Sequence, residues 1–188
     1  MKIKKLLFSA LLLTIAFSFV SGKTVNAMES KRVVLNPLPK SAAEIKPAST
    51  PQQTAAYAIA ALVRYTESAD EGIAMLDVLR GPRPLNNFNK QFLRDQLRGK
   101  EYTARSYFNG ANPNNNYTPS LPYTLTVSET PYSYQNENYA QLWVKSGGAD
   151  NPRPITMRLK PSTGEWYLWE YEGLLAGIRI PAKDDPWR

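Results

Sequence analysis

The chain has 188 residues, no histidine, no cysteine and a formal charge of +7. The two absences exclude Ser-His-Asp and Cys-His catalysis, histidine- or thiolate-held metals, iron–sulfur clusters and disulfides. Four of the 23 basic residues fall in residues 1–27, which hold no acid; the rest carries 19 basic against 16 acidic groups, a net +3 that gives no argument for nucleic acid.

Lys2, Lys4 and Lys5 open the chain, an apolar run of 15 residues follows over 6–20, and Val25-Asn26-Ala27 closes it. A basic start, a short greasy stretch and small residues at its end are the marks of a cleavable signal peptide over 1–27. A membrane span needs about 20 apolar residues, so an uncleaved anchor is the weaker alternative. The reading places the mature protein outside the cell, secreted or associated with the wall, with the membrane met only during export.

Residues 28–49 hold Pro37, Pro39 and Pro47 among Lys, Ser and Ala, which predicts a flexible linker; Val33, Val34 and Leu35 are the exception and suit a short edge strand. Thr50, Pro51 and Gln53 form a helix start with N-cap, first-turn proline and capping box. The spacing predicts a helix over 50–68 with Ala55, Ile59, Leu62, Val63 and Thr66 inward. A second helix follows over 70–80, with Ile73, Leu76 and Leu79 inward and Gly81 as its stop. A third over 86–99 is expected to bury Phe88, Phe92, Leu93 and Leu97.

After Gly99 the character changes. Segments 102–108, 123–128, 139–145, 155–160 and 166–171 are rich in β-branched and aromatic residues and predict strands, with a short terminal strand over 174–180. Helices first and strands afterwards give an α+β domain over 50–188. Its three helices pack on one face of a curved antiparallel sheet of four to six strands.

The last hairpin can be worked out in detail. With a turn at 161–164, Lys160 opposes Glu165, Leu159 opposes Trp166, Met157 opposes Leu168 and Ile155 opposes Glu170. The apolar side of this register belongs to the helices. Glu170 is the one charge on it, and reads either as a carboxylate at the mouth of a pocket between helices and sheet or as a residue past the core's end. The other side gathers Trp143, Tyr167, Trp169 and Tyr171 with Arg158, with Arg158 over Tyr167. Such a strip either stacks on sugar rings or peptides, or forms a second small core under the linker or the tail with Trp187.

Two further features stand out. Loop 147–154 mixes glycines with Asp150 and Arg153, which suits either a binding loop or a run of turns. Residues 80–105 carry seven basic groups, including Arg80 and Arg83, against Asp95 and Glu101. That is either a solvated helix face or a surface for an anionic wall polymer.

No phosphate-binding glycine loop, dinucleotide fingerprint or metal-ligand spacing is present, so no cofactor and no metal are expected. An enzyme of this composition would have to use carboxylates, with Glu170 the candidate.

The stretches 142–150 (LWVKSGGAD), 152–155 (PRPI), 166–171 (WYLWEY), 177–181 (GIRIP) and 185–187 (DPW) resemble an exported Firmicutes family of unknown function, which would cover roughly residue 50 to the end. The resemblance implies an exported domain and supplies no catalytic residues. At the level of layout the element order is similar to the cystatin-like or nuclear-transport-factor-two-like roll, which hosts enzymes and inert binders alike.

The expectation that follows is a noncatalytic binding module for cell-wall glycan or another envelope protein. Its candidate residues are Trp143, Arg158, Tyr167, Trp169, Asp150 and Arg153. The alternative is a glycan-directed hydrolase using Glu170.

Overall fold

A run of small and branched apolar residues after Pro51 makes the central helix, in a computed structural model that describes residues 28–187. The leader expected over 1–27 lies outside the described residues. Helix α1 (Pro51–Glu67) buries every residue from Ala58 to Val63, and helix α2 (Ala69–Arg80) buries Met75, Leu76 and Leu79 against it. Thr50 stands at the N-cap as the sequence predicts, yet its side chain makes no capping bond. The nearby Thr54 is used instead: its hydroxyl accepts from the Ala48 amide and donates to the Trp166 carbonyl, both at 2.9 Å.

Helix α3 (Asn87–Leu97) starts with a capping box between Asn86 and Asn89. It buries Leu93 and Leu97, but Phe88, expected inside, is 75% exposed. The first turn of α3 projects past the core that its last two turns reach. Segment 102–108, expected as a strand, begins instead with a short helix α4 (Tyr102–Arg105). Its β-type composition is overridden because Thr103, Ala104, Ser106, Tyr107 and Phe108 are all buried, a nearly continuous burial that no half-exposed strand supplies.

Five antiparallel strands follow a simple neighbour order: β1 (Glu29–Leu35), β2 (Tyr123–Glu129), β3 (Tyr139–Val144), β4 (Arg153–Lys160) and β5 (Glu165–Glu170). The inner face is apolar: Leu125, Val127, Ala140, Leu142, Val144, Ile155, Met157 and Leu168 are all buried, and helices α1 and α2 pack on it. The α+β architecture is therefore the one expected.

The linker expected over 28–49 is corrected. Most of its first half is β1, paired along its whole length with β2, and Ala48 bridges to Trp166 on the far edge of the sheet. Val33, Leu35 and Ile45 enter the core, which is enough apolar burial to hold a proline-rich segment in place. The expected terminal strand is also absent: Glu172–Leu175 is a 3-10 turn that buries Leu174 and Leu175. Among the described residues no helix is long and apolar enough to cross a membrane.

Candidate functional site

The register of the β4–β5 hairpin decides which side chains meet. Lys160 opposes Glu165, Leu159 opposes Trp166, Arg158 opposes Tyr167 and Met157 opposes Leu168, as the sequence predicts. The next step departs from it: Thr156 pairs with Glu170, and Trp169 is an extra residue in β5. A bulge of this kind places two successive residues toward one side and reverses the alternation beyond it.

That one residue corrects two expectations. Glu170 leaves the helix side and lies exposed on the outer face, where its carboxylate accepts from the Thr156 hydroxyl at 3.2 Å. It lines two open depressions of the outer face and does not face the core between the helices and the inner side of the sheet. Tyr171, expected outside, turns inward and is fully buried. Burial above all raises its phenol pKa; Glu172, Asp77 and Tyr65 add to the rise, and the nearby Arg80 opposes it.

Trp169 becomes the centre of the outer face. Its ring and that of Tyr139 stand edge to face, with 5.4 Å between their centroids. The Arg158 guanidinium lies over it at 4.6 Å and over Tyr139 at 5.2 Å, whereas Arg158 over Tyr167 was the pairing expected from sequence. Tyr139 is the direct cross-strand partner of Arg158 on β3. Tyr167 instead donates to Glu165 at 3.3 Å and packs beside Gly81.

A second guanidinium, that of Arg83, lies over Trp169 at 3.7 Å. It gets there because Gly81 ends α2 with a φ of +57°, and a Cβ at that point would stand 2.4 Å from the Tyr167 ring. Only glycine lets the chain turn this tightly against β5. Arg80, the last residue of α2, then fixes the turn. Its Nε donates to the Arg83 carbonyl at 2.9 Å and its Nη1 to the Trp169 carbonyl at 3.3 Å. Arg80 is 6% exposed, so a buried cation ties the loop to the bulge.

Around Trp169 three depressions adjoin. One of about 530 Å³ is lined by Arg83, Asn86, Asn89, Gln141, Thr156 and Glu170 among others. A second, of about 350 Å³, shares Gln141, Thr156, Trp169 and Glu170 and runs on to Tyr132 and Asn136. A third, of about 360 Å³, lies toward Arg158, Lys160 and Tyr167. Trp169 lines all three, and neither the linker segment nor the tail covers it. Trp187, an expected cover, is 94% exposed beside Pro113 and Asn114.

The remaining predicted residues fall elsewhere. Trp143 is on the outer face, opposite Ser128 and Pro154, four residues along β3 from Tyr139, or about 13 Å at roughly 3.3 Å per residue. Asp150 pairs with Arg179, and Arg153 donates to the Gly177 carbonyl at 2.6 Å. Loop 147–154 thereby clasps the C-terminal segment and does not join Trp169. Tyr139, Gln141 and Thr156 belong to the site and were not among the expected site residues, and Arg83 was expected only as one of a basic run. Tyr139, Gln141 and Thr156 have the outward parity of Arg158, a signal that was available; Arg83 depends on a loop path that no periodicity encodes.

A depression of about 630 Å³, larger than any of these three, lies apart, between the 36–40 segment, α1 and Leu121-Pro122-Tyr123. It is lined chiefly by Pro37, Leu38, Ala60, Val63 and Leu121, with Arg64 and Glu67 already paired at 3.0 Å. Size alone does not make it the better candidate: its lining is mostly apolar, although Asn36 and Lys40 reach it and the Arg64 Nε is buried without a partner.

A family model described as a domain of unknown function (DUF6935) matches residues 37–182. The match begins inside the segment expected to be a linker, in keeping with its place in the fold. No curated protein and no solved structure matches the chain.

Proposed function

We propose, for a chain that belongs to the DUF6935 family of domains of unknown function, that it is an exported, noncatalytic binding module. Its working surface is the outer face of the sheet around Trp169, and its ligand is an extended cell-wall glycan. The observation that carries this reading is the uncovered run of three depressions that share Trp169. An open sheet face with adjoining depressions suits a polymer lying across the strands, where an enclosed pocket would suit a small molecule.

The surrounding groups agree with a ligand of mixed polarity. Gln141, Thr156, Asn86 and Asn89 offer amide and hydroxyl partners to sugar hydroxyls, while Trp169 and Tyr139 offer ring edges and apolar area. The lack of histidine and cysteine together with an exposed Glu170 favours binding over turnover. Export rests on the composition of residues 1–27. A protein of the envelope would use the same face and differs only in the outcome of the test.

Retention of the purified protein on insoluble peptidoglycan tests the reading. Trp169→Ala is expected to weaken retention at least tenfold, about 1.4 kcal/mol, as for a central aromatic anchor. Unchanged retention by a folded Trp169→Ala protein would remove the outer face from the proposal. Wild-type protein that stays in the supernatant would remove the glycan, and binding to an envelope protein through Trp169 would then replace it.

A further inference from the structure

The seven basic residues over 80–105 do not act as one surface; the fold takes two of them, Arg80 and Arg83, and sets them beside Arg158 and Lys160 from β4. All four line the same depression of about 360 Å³, whose other walls include Tyr167, Trp169, Pro82 and Pro161. No carboxylate lines it. Glu170 and Glu172 line the neighbouring depression, and Glu165 is engaged by the Tyr167 hydroxyl.

We propose that this depression is an anion subsite, which takes a carboxylate or phosphate group carried by the ligand of the outer face. The proposal rests on the function proposed above and adds the chemical class that the site selects.

The argument is one of unspent donors held in place. Arg83 and Arg158 lie over Trp169, and among the described residues neither side chain donates a hydrogen bond or forms an ion pair. A guanidinium resting on a ring is positioned without using its N–H fork, so the fork stays available for a planar or tetrahedral oxyanion. Lys160 opposes Glu165 in the ladder but is not paired with it within 4.0 Å.

Arg80 adds a charge that is more than nine-tenths buried and has two carbonyl oxygens but no carboxylate as its partners. The C-terminal end of α2 stabilises that charge in part. Among the described residues none of the four cations is in an ion pair, although Arg80 and Arg83 also border the depression that holds Glu170 and Glu172. Cations gathered this way repel one another, and a bound oxyanion relieves the repulsion.

The test measures binding of the full mature protein to three soluble polymers: polygalacturonate, long-chain polyphosphate and neutral dextran. Wild type is expected to bind at least one of the two polyanions more tightly than dextran. Arg83→Gln with Arg158→Gln is expected to weaken that binding at least tenfold. Arg32→Gln on the exposed β1 edge, charge-matched to Arg158→Gln alone, is expected to leave it unchanged.

Preference for polygalacturonate assigns the subsite to carboxylates, and preference for polyphosphate assigns it to phosphates. If the double variant does not fold, Arg158→Gln alone, at an exposed position, is read in its place. Equal loss from Arg32→Gln, or wild-type binding no tighter to either polyanion than to dextran, overturns the proposal. Retention on peptidoglycan that depends on Trp169 but not on Arg83 and Arg158 would sink the anion subsite while leaving the binding face intact.

Discussion

Tyr171 and Trp169 sit two residues apart in an aromatic run, and one is sealed in the core while the other is on the open face. The difference comes from the extra residue in β5, which carries no compositional mark, so strict alternation assigns both to the same side. Arg158 was legible because its parity on β4 follows from the turn, and Tyr139 follows from the same rule.

The buried tyrosines yield a prediction at this scale. Burial pushes the phenol of Tyr117 up to about 12; neighbouring Tyr102 adds to the rise and Arg179 opposes it. Burial is also the main cause that raises Tyr107 and Tyr171 from the ordinary value of 10.0. A folded-state pKa above the unfolded one means that the unfolded chain ionises first as pH rises. The stability these groups contribute is therefore complete below pH 10.0 and is lost as pH climbs toward about 12 and beyond. Near-ultraviolet titration should show Tyr107, Tyr117 and Tyr171 still protonated where exposed tyrosines have ionised. Denaturant midpoints should fall over the same range. All 11 tyrosines of the folded protein titrating together near 10.0 would contradict this.

At the scale of elements, the two long helices and the last hairpin were readable because their signals are local. Apolar spacing, a first-turn proline at Pro51 and a stop at Gly81 set α1 and α2, and a four-residue turn set the hairpin register. Elements decided by distant partners were readable in part at best, and of β1 only Val33, Val34 and Leu35 stood out, as a short edge strand. Segment 102–108 has strand composition and becomes helical under burial, and β1 is made by pairing with β2, about ninety residues away, after a proline-poor stretch in a segment otherwise rich in proline.

The strand reading of β1 can be separated from the linker reading by one substitution. Leu35 is 3% exposed and opposes Tyr123, so Leu35→Ala is expected to cost about 2–4 kcal/mol in equilibrium unfolding. A linker residue would give a change near zero, and such a result would withdraw β1 from the cooperative fold.

The whole molecule divides into a sealed side and an open side. Helices α1 and α2 close the inner face of the sheet, loop 147–154 clasps the C-terminal segment through Asp150 and Arg153, and the outer face is left with polar and aromatic groups around Trp169. The site draws on β3, β4, β5 and the α2–α3 connection, which explains why sequence named Arg158 and Trp169 but also Trp143, Asp150 and Arg153, which stand apart. Each of the latter is aromatic or charged near a glycine-rich loop, and only the three-dimensional path separates a clasp from a binding group. Membership of a family without an assigned activity leaves the chemistry of this face as the ground for function.

Two surfaces compete for that role: the outer face, and the larger apolar depression beside Pro37, Leu38 and Leu121. Amide and indole resonances followed by two-dimensional NMR during titration with soluble peptidoglycan fragments choose between them. The perturbed signals are expected to cluster on Gln141, Thr156, Trp169, Glu170 and Arg158. Perturbations gathered on residues 36–40, Val63 and Tyr123, with Trp169 unmoved, would contradict the account.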